Sequence, residues 1–371
     1  MLKPLFHAWE RRLADVTKDR VVRPFEWGLD WIPQNGHPPG ADPALVLSEW
    51  VDHVMADSDR FYSAPPTGEY RFVTEADGSG RLTFPSALTT PHAENNTVEC
   101  RLFVPEGPGG SSPFFANRKQ DIRKGYDPPA RPARGAAVLV LPQWNADAGG
   151  HVGLCRLLAM SGLTALRLSL PYHDARMPPE LTRADYIVSS NIARTVQVCR
   201  QAVLDARRAI AWLAAEGYGP IGILGTSLGS CLALLTAAHE PLVRAAALNH
   251  ISPYFADVVW RGLSTRHVRE GLDGHIDLEQ LRRLWRPISP RYFLERLRDR
   301  RTLLVSARYD LTFPFDLSRD LVSAFRVAAV PHEVAVLPCG HYSTGVTPFK
   351  YLDGWVLTRF LRRELTRRLR A

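Results

Sequence analysis

Pro220-Ile221-Gly222-Ile223-Leu224 is a short apolar run, and Gly225-Thr226-Ser227-Leu228-Gly229 follows it directly. The run predicts a buried strand, and the apolar stretch from Leu228 to Ala238 predicts a helix. The two glycines allow a sharp turn without Cβ clashes, which pushes Ser227 into a strained, exposed position above the sheet. The stretch therefore predicts a nucleophilic serine between a strand and a helix, and the alternative is an ordinary helix N-terminus.

Around this stretch the chain alternates strands with helices. Such alternation predicts an α/β fold with a mostly parallel central sheet and helices on both faces. Residues 105–134, which hold six prolines, predict a long irregular loop. The predicted strands are 80–87, 98–105, 136–142, 163–170, 220–224, 243–249, 302–306 and 333–337, and the predicted helices are 5–20, 43–62, 150–161, 191–216, 228–238, 316–326 and 348–369.

A nucleophilic serine needs a base, and the base needs a carboxylate that orients it and stabilises its charged form. Asp310 comes directly after the strand predicted at 302–306, and His341 comes directly after the strand at 333–337. Three strand ends thus deliver a serine, an acid and a histidine in that order. Asp316 is the alternative acid, although its place at the start of the next helix is typical of a cap.

The chain here resembles the α/β-hydrolase family of serine hydrolases. The Gly-x-Ser-x-Gly elbow, the Asp-x-x-x-Pro turn after the penultimate strand and the Gly-His after the last strand all match, and the resemblance covers roughly residues 80–371. It implies that Ser227 is the nucleophile, His341 the general base and acid, and Asp310 the orienting carboxylate. It implies hydrolysis without a cofactor.

The predicted oxyanion hole departs from the family pattern. The family often has His-Gly after the strand that precedes its first long helix, whereas this chain has Leu141-Pro142-Gln143-Trp144-Asn145. Because an oxyanion hole uses backbone N–H groups, the side chains there are not decisive. The predicted donors are the N–H of Leu228 and the N–H of either Trp144 or Gln143.

Polar residues at other strand ends are candidates for substrate binding, because open α/β sheets hold their ligands at the carboxyl ends of strands. The alternative is that these groups are satisfied within their own loops. No tight ligand spacing supports a metal site built from His151, His173, Asp174 and His250, so no metal is predicted. The predicted substrate-binding residues are Asn145, Tyr172, His173 and His250.

The chain divides into a helical extension at 1–75 and an α/β-hydrolase domain at 76–371. Four of the nine tryptophans lie in the extension and must bury their rings, which predicts packing on the main domain. Residues 252–298 contain helical, aromatic-rich pieces and predict a cap over Ser227. The alternative is that these helices simply cover the sheet. The tryptophans are Trp9, Trp27, Trp31 and Trp50, and the cap aromatics are Tyr254, Phe255, Trp260, Trp285, Tyr292 and Phe293.

Composition excludes several classes of protein. Of the 371 residues, 45% are hydrophobic and 23% are charged, which is typical of a globular domain and not of a disordered or collagen-like chain. No apolar stretch has the length of a membrane-spanning helix, and no signal sequence is visible, which predicts the cytoplasm. The five scattered cysteines predict buried, reduced thiols.

The basic charge is concentrated at one end. Residues 359–371 hold six arginines and one glutamate, a net +5 of the total +8, so no nucleic-acid partner is predicted. The last helix repeats leucine every four residues from Leu357 to Leu369 with arginines between, which allows contact with an anionic membrane surface. A helix packed on the core with a solvated arginine face is favoured instead.

The expected activity is hydrolysis of a carboxylic ester through an acyl-enzyme intermediate, with a small-molecule ester as substrate. The alternatives are a lipase- or thioesterase-like acyl hydrolase, and a catalytically silent relative that binds a ligand or partner. The sequence predicts no particular acyl chain, alcohol or oligomeric state.

Overall fold

The computed structural model describes residues 2–33, 38, 40–105 and 133–367, together with the backbone of 121–123. In this part of the chain ten strands form one sheet in the order β10-β9-β8-β7-β5-β6-β3-β2-β1-β4. The strands are β1 (Tyr70–Thr74), β2 (Gly80–Pro85), β3 (Thr97–Phe103), β4 (Asp121–Arg123), β5 (Ala137–Leu141), β6 (Thr164–Leu168), β7 (Ile221–Thr226), β8 (Val243–Asn249), β9 (Arg301–Ala307) and β10 (His332–Leu337).

Helices cover both faces of the sheet, as the alternation predicts. They are α1 (Leu2–Ala14), α2 (Pro43–Ala56), α3 (Ser58–Phe61), α4 (Val152–Met160), α5 (Ile192–Ala215), α6 (Leu228–His239), α7 (Phe255–Arg261), α8 (Arg266–Leu272), α9 (Leu278–Leu284), α10 (Phe315–Val327) and α11 (Phe349–Thr366). Successive side chains of a strand point to opposite faces. Along β5, Leu139 packs in the core that contains α5 and α6, and Val138 and Val140 pack in the core that contains α4 and α11.

The sheet is mostly parallel where the site lies. The six strands from β10 to β6 pair in parallel, and the four strands beyond β6 pair antiparallel. The chain leaves β5 toward β6 on one side and later returns to β7 on the other side. A reversal of this kind opens a crevice at the carboxyl ends of the two central strands. Ser227 follows β7 and Trp144 follows β5, so both lie at this crevice.

Several boundaries differ from the sequence-based expectations. Helix α1 ends at Ala14 rather than near residue 20. The carbonyl of Ala14 accepts a hydrogen bond from the Arg20 guanidinium. Strand β1 lies within the segment 1–75 assigned to the extension, yet it pairs with β2 in the central sheet. Only Phe72 of β1 is buried, so the strand lacks a clear alternating pattern. Most of the loop predicted at 105–134 lies outside the described residues.

The four tryptophans of residues 1–75 pack on other parts of the chain. Trp27, Trp31 and Trp50 pack against the main core, and Trp9 lies 6.4 Å from Phe349 of α11, measured between ring centroids. All five cysteines are free and buried, as predicted. Burial raises the pKa of Cys155 to about 12.

The last helix packs on the sheet. Leu357, Leu361 and Leu365 are buried beside α4 and the strands, while Leu369 lies outside the described residues. In the described part of the chain, no helix combines the length and the apolar character that crossing a membrane requires.

Candidate active site

Ser227 occupies the turn between β7 and α6. Its backbone has φ 55° and ψ −119°, a conformation that L-residues rarely adopt and that marks a strained turn. The N–H of Ser227 donates to the Asn249 carbonyl at 2.7 Å, and the Ser230 hydroxyl donates to the Ser227 carbonyl at 2.6 Å. These contacts hold the strained backbone in place. The Ser227 side chain accepts no capping hydrogen bond from its own helix.

The two flanking glycines are needed for close packing. A Cβ at Gly225 would lie 2.1 Å from the Gly229 carbonyl oxygen, and a Cβ at Gly229 would lie 2.2 Å from the Leu141 carbonyl oxygen. Both distances are too short for any side chain. Helix α6 therefore approaches β5 and β7 more closely than any larger residue at these two positions would permit.

Asp310 lies in the turn after β9 and is buried, and both of its carboxylate oxygens are engaged. Oδ1 accepts hydrogen bonds from the N–H groups of Thr312 and Phe313, each at 2.7 Å. Oδ2 accepts from Nδ1 of His341 at 3.1 Å and from Nδ1 of His250 at 3.0 Å. Burial raises the pKa of Asp310, but the charge of His341 and the two histidine hydrogen bonds outweigh it, and the pKa lies well below its usual range.

His341 follows β10 and faces the same turn. Because an ionised carboxylate only accepts hydrogen bonds, Nδ1 of His341 carries the hydrogen and Nε2 is left with a lone pair. The Phe313 ring stacks on the imidazole, with centroids 5.4 Å apart. Burial lowers the pKa of His341, but the charge and hydrogen bond of Asp310, with the charge of Glu10, raise it above its ordinary value of 6.5.

The alternative acid, Asp316, lies away from this cluster. It occupies the first turn of α10 and forms an ion pair with Arg261 at 2.7 Å, and almost half of its side chain is exposed. The geometry therefore pairs His341 with Asp310.

A cavity of about 470 Å³, including its open mouth, lies beside Ser227. Leu228 and Trp144, two of the predicted oxyanion residues, line it together with Ser227, whereas Gln143 does not. Phe313, which stacks on His341, forms part of another wall. The residues that the predicted cap contributes are Ser252, Tyr254, Phe255, Val258, Val259, Ser264, Thr265 and Pro290. The remaining cap aromatics do not line it, and Trp285 and Phe293 are buried in the core.

Comparison with known proteins points to the same architecture. The family model described as alpha/beta hydrolase domain containing 18 matches residues 153–263. An acetyl xylan esterase from Paenibacillus sp. R4 superposes with a TM-score of 0.59 at 16% identity, over 91% of this chain and 98% of that one. The chain has the α/β-hydrolase fold.

Two further solved structures have the same fold. The acetyl xylan esterase 1 from Thermoanaerobacterium sp. JW/SL YS485 has a TM-score of 0.56 at 13% identity, over 95% of this chain and 98% of that one. An acylaminoacyl peptidase from Pyrococcus horikoshii has a TM-score of 0.58 at 13% identity, over 83% of this chain. The chain spans 43% of the peptidase's length.

Three of the predicted substrate-binding residues lie outside the cavity beside Ser227. The Asn145 carbonyl oxygen of the side chain accepts from the Ala184 N–H at 2.8 Å, and the Asn145 N–H donates to Nε2 of His173 at 2.9 Å. The Tyr172 hydroxyl lies 3.0 Å from Nδ1 of His92. These groups form internal contacts that shape the loops after β5 and β6.

His250 also does not line the cavity, but it touches the site through Asp310. It is buried, and its ring lies 4.9 Å from the His341 ring, measured between centroids. Its Nε2 is buried without a partner in the described part of the chain. The sequence placed His250 at the correct sheet edge, yet a second histidine on the acid is a contact that only the tertiary structure reveals.

His151, His173 and Asp174 each contact a different partner. Nε2 of His151 lies 2.9 Å from the Thr226 hydroxyl, Asp174 forms an ion pair with Arg167 at 3.0 Å, and His173 contacts the Asn145 loop. Among the described residues, one group of three has ligand atoms within 4.8 Å of one another. That group is His250, Asp310 and His341, whose Nδ1 atoms already donate to the carboxylate.

Sequence reasoning missed two carboxyl groups near the site. Glu10 of α1 is fully buried against the His341 turn, and Asp353 of α11 accepts a hydrogen bond from the Asn249 side chain at 2.9 Å. Neither residue lies in a motif. Glu10 is more than three hundred positions away from the turn that it contacts, so no local signal could have found it.

Proposed function

We propose that this α/β hydrolase is a serine hydrolase that cleaves carboxylic esters through an acyl-enzyme intermediate. One observation carries the proposal. A serine on a strained turn opens into an apolar cavity, and Phe313 in the cavity wall stacks on a histidine whose Nδ1 is bonded to a buried carboxylate. Such a set activates a serine hydroxyl, and a purely structural turn has no need of it.

In the proposed first half-reaction, Nε2 of His341 accepts the Ser227 proton as the oxygen attacks the ester carbonyl. The tetrahedral intermediate collapses, the carbon–oxygen bond to the alcohol breaks, and His341 returns the proton to the leaving alcohol. Asp310 fixes the tautomer of His341 and stabilises the imidazolium that forms. The two N–H bonds to its other oxygen fix the orientation of the Asp310 carboxylate.

In the second half-reaction, His341 accepts a proton from water, and the resulting hydroxide attacks the acyl-enzyme. The acid leaves and the proton returns to Ser227. The Leu228 N–H at the start of α6 and an N–H near Trp144 would bind the oxyanion in both steps. Leu228 directly follows Ser227, Trp144 lines the same cavity, and the N-terminus of α6 adds its partial positive charge.

The cavity supports an apolar acyl group as the substrate part bound next to Ser227. Most of its walls are aliphatic or aromatic, and no lysine, arginine or carboxylate is among the described residues that line it. Such a wall stabilises a hydrocarbon chain and offers no partner to a charged group. A thioester or a lipid ester would present the same acyl group, so both remain the alternative substrates.

The test is labelling by a fluorophosphonate probe of the wild type, Ser227→Ala and His341→Ala. Ser264→Ala is the matched control, because Ser264 lines the same cavity. We expect labelling of the wild type and the control, and none of the other two variants. Labelling that survives Ser227→Ala would place the nucleophile elsewhere, and an unlabelled wild type that also fails to cleave p-nitrophenyl acetate would favour a silent relative.

A panel of p-nitrophenyl esters of rising acyl length would then test the substrate. We expect kcat/KM to rise from acetate to a medium chain as methylene groups fill the cavity. A matched series of thioesters separates the ester from the thioester alternative. A preference for acetate alone would contradict an apolar acyl site.

The cytoplasmic location and the absence of a nucleic-acid partner also belong to this proposal. Cell fractionation tests the first. A DNA-binding titration at low salt tests the second, because binding driven by phosphate contacts is strongest there.

A further inference from the structure

Glu10 lies in α1, outside the sheet, and its carboxylate contacts the turn that carries His341. Oε2 accepts a hydrogen bond from the Tyr342 N–H at 2.8 Å, and Oε1 accepts from the Ser343 N–H at 2.9 Å. Glu10 is fully buried. A carboxylate that accepts two backbone N–H groups forms charge-assisted hydrogen bonds, which are stronger than neutral ones. The two residues that follow His341 are therefore held by a side chain from the N-terminal helix.

The packing at this turn leaves no free space. A Cβ at Gly340 would lie 2.3 Å from Cδ of Glu10, so only glycine fits before His341. The Gly340 N–H donates to the Ser343 hydroxyl at 2.8 Å. The backbone donors on both sides of His341 are thus bonded to side chains. Their positions, and with them the direction of the imidazole, depend on where the Glu10 carboxylate lies.

The same helix touches the loop of the acid. The Phe6 ring stacks on Tyr309, the residue before Asp310, with centroids 4.5 Å apart and planes 13° from parallel. Just beyond the helix, Arg20 donates to the Tyr342 hydroxyl at 3.3 Å. One segment of the extension therefore bridges the two turns that carry the base and the acid.

Glu10 also acts on His341 through its charge. Burial lowers the pKa of His341, whereas the charges of Asp310 and Glu10 raise it. Asp310 bonds to the imidazole, His250 and Tyr342 pack against it, and Glu10 lies on the backbone of the next residue and acts on the imidazole through its charge. In the described part of the chain, no arginine, lysine or histidine forms an ion pair with Glu10, so its charge is not neutralised by a contact.

We propose that Glu10 is a positioning residue for His341, and that the N-terminal extension is thereby a working part of the active site. The proposal rests on the proposed function. Glu10 touches no substrate; it fixes the turn on which the base sits and adds negative charge behind the imidazole.

The test compares Glu10→Gln with Arg12→Gln. The second variant also removes one charge from α1, but at an exposed position. In Glu10→Gln the amide keeps one acceptor and turns an N–H donor toward a backbone N–H. We expect kcat for p-nitrophenyl acetate to fall about 10- to 100-fold with KM within about twofold, because a misaligned base slows chemistry more than binding. The control should match the wild type.

A merely structural Glu10 would not change the ionisation of His341. We therefore expect an NMR titration of the His341 imidazole to show a lower pKa in Glu10→Gln than in the wild type and in Arg12→Gln. This readout needs no substrate. An inactive wild type with a shifted His341 pKa in Glu10→Gln would reject the proposed function and leave the contact established.

Gly340→Ala tests the same contact from the other side should Glu10→Gln fail to fold. The added methyl group must displace the Glu10 carboxylate, so we expect the same loss of kcat and a lowered His341 pKa. Unchanged kcat and an unchanged His341 pKa in a folded variant of either kind would overturn the proposal.

Discussion

Asp310 and Asp353 are two shielded carboxyl groups near His250 that ionise very differently. Asp310 accepts four hydrogen bonds, two from backbone N–H groups and two from histidines. Asp353 accepts one from the Asn249 amide, and its Oδ1 is buried without a partner among the described residues. Burial raises the pKa of both groups. It prevails at Asp353, whose pKa rises to about 6, and is outweighed at Asp310.

The charge of His341 and the hydrogen bonds to the carboxylate outweigh burial at Asp310, whereas Asp353 has a single hydrogen-bond partner and burial prevails. Desolvation disfavours the charged form in both places, and hydrogen bonds to the charged form favour it. Asp310 is therefore an anion across the working pH range and can orient an imidazole. Asp353 exchanges its proton near pH 6.

Removing the negative charge of the carboxylate should lower activity far more at Asp310 than at Asp353. We expect Asp310→Asn to lower kcat/KM by about 10⁴-fold, because the amide favours the wrong tautomer of His341 and cannot stabilise the imidazolium. The same change at Asp353 should leave kcat/KM within about threefold at pH 8. Initial rates on p-nitrophenyl acetate measure both, and equal losses would remove the distinction between the two groups.

The two histidines that donate to Asp310 should also differ in how much activity their removal costs. We expect His341→Ala to abolish hydrolysis to the level of Ser227→Ala, whereas His250→Ala should lower kcat about 10- to 100-fold. The second change removes one charge-assisted hydrogen bond from Asp310 and leaves the base in place. A His250→Ala enzyme as inactive as His341→Ala would assign His250 a direct role in proton transfer.

A third prediction concerns the free energy of unfolding, which should change with the ionisation of Asp353. The pKa of Asp353 is about 6 in the folded state, against an ordinary value of 3.8. Between pH 3.8 and pH 6 the folded state therefore binds a proton that the unfolded state does not. Ionised Asp353 thus lowers the free energy of unfolding above pH 6, and this penalty fades as the pH falls toward 4. We expect Asp353→Asn to be more stable by about 1–3 kcal/mol at pH 8.

Urea unfolding at pH 8 and pH 4 measures this difference. A gain that persists at pH 4 would mean that the amide stabilises the fold by a new hydrogen bond and not by removing a charge.

The smallest expected effect is on the acid limb of the pH–rate profile. In the proposed mechanism neutral His341 is the active form, and its raised pKa places the acid limb of the wild type above pH 6.5. The limb should lie at the same pH in Asp353→Asn, because Asp353 is not among the groups that shift His341, and at lower pH in Asp310→Asn. Profiles of kcat/KM from pH 5 to 9 measure the shift, and a displaced limb in Asp353→Asn would show that the two carboxyl groups are coupled.

Much of the fold and the serine turn could be predicted from the sequence. The strand before Ser227, the helix after it and the glycines at both sides are local features, because strand and helix periodicity and glycine packing act over a few residues. Six parallel strands were placed within a few residues of their observed limits. Strand β1 was missed because only Phe72 is buried on it, which leaves no alternating pattern.

The polar residues at the strand ends were harder to assign. Asn145, Tyr172 and His173 stand after strands as the catalytic candidates do, yet their polar atoms serve internal contacts. A strand end brings a residue to the edge of the sheet, but the path of its loop decides whether the side chain enters the crevice or supports a neighbouring loop. Loop paths depend on contacts that no local pattern encodes.

The sequence by itself determined the α/β architecture, the strained serine turn and the order of serine, acid and histidine along the chain. These follow from short-range sterics and from the periodic burial of apolar side chains. Only the tertiary structure decided that His250 shares Asp310, that Asp353 has too few partners to stay ionised below pH 6, and that Glu10 lies behind the turn of His341. Each depends on groups distant in sequence that meet where little water reaches, and their charges are set by the partners they find there.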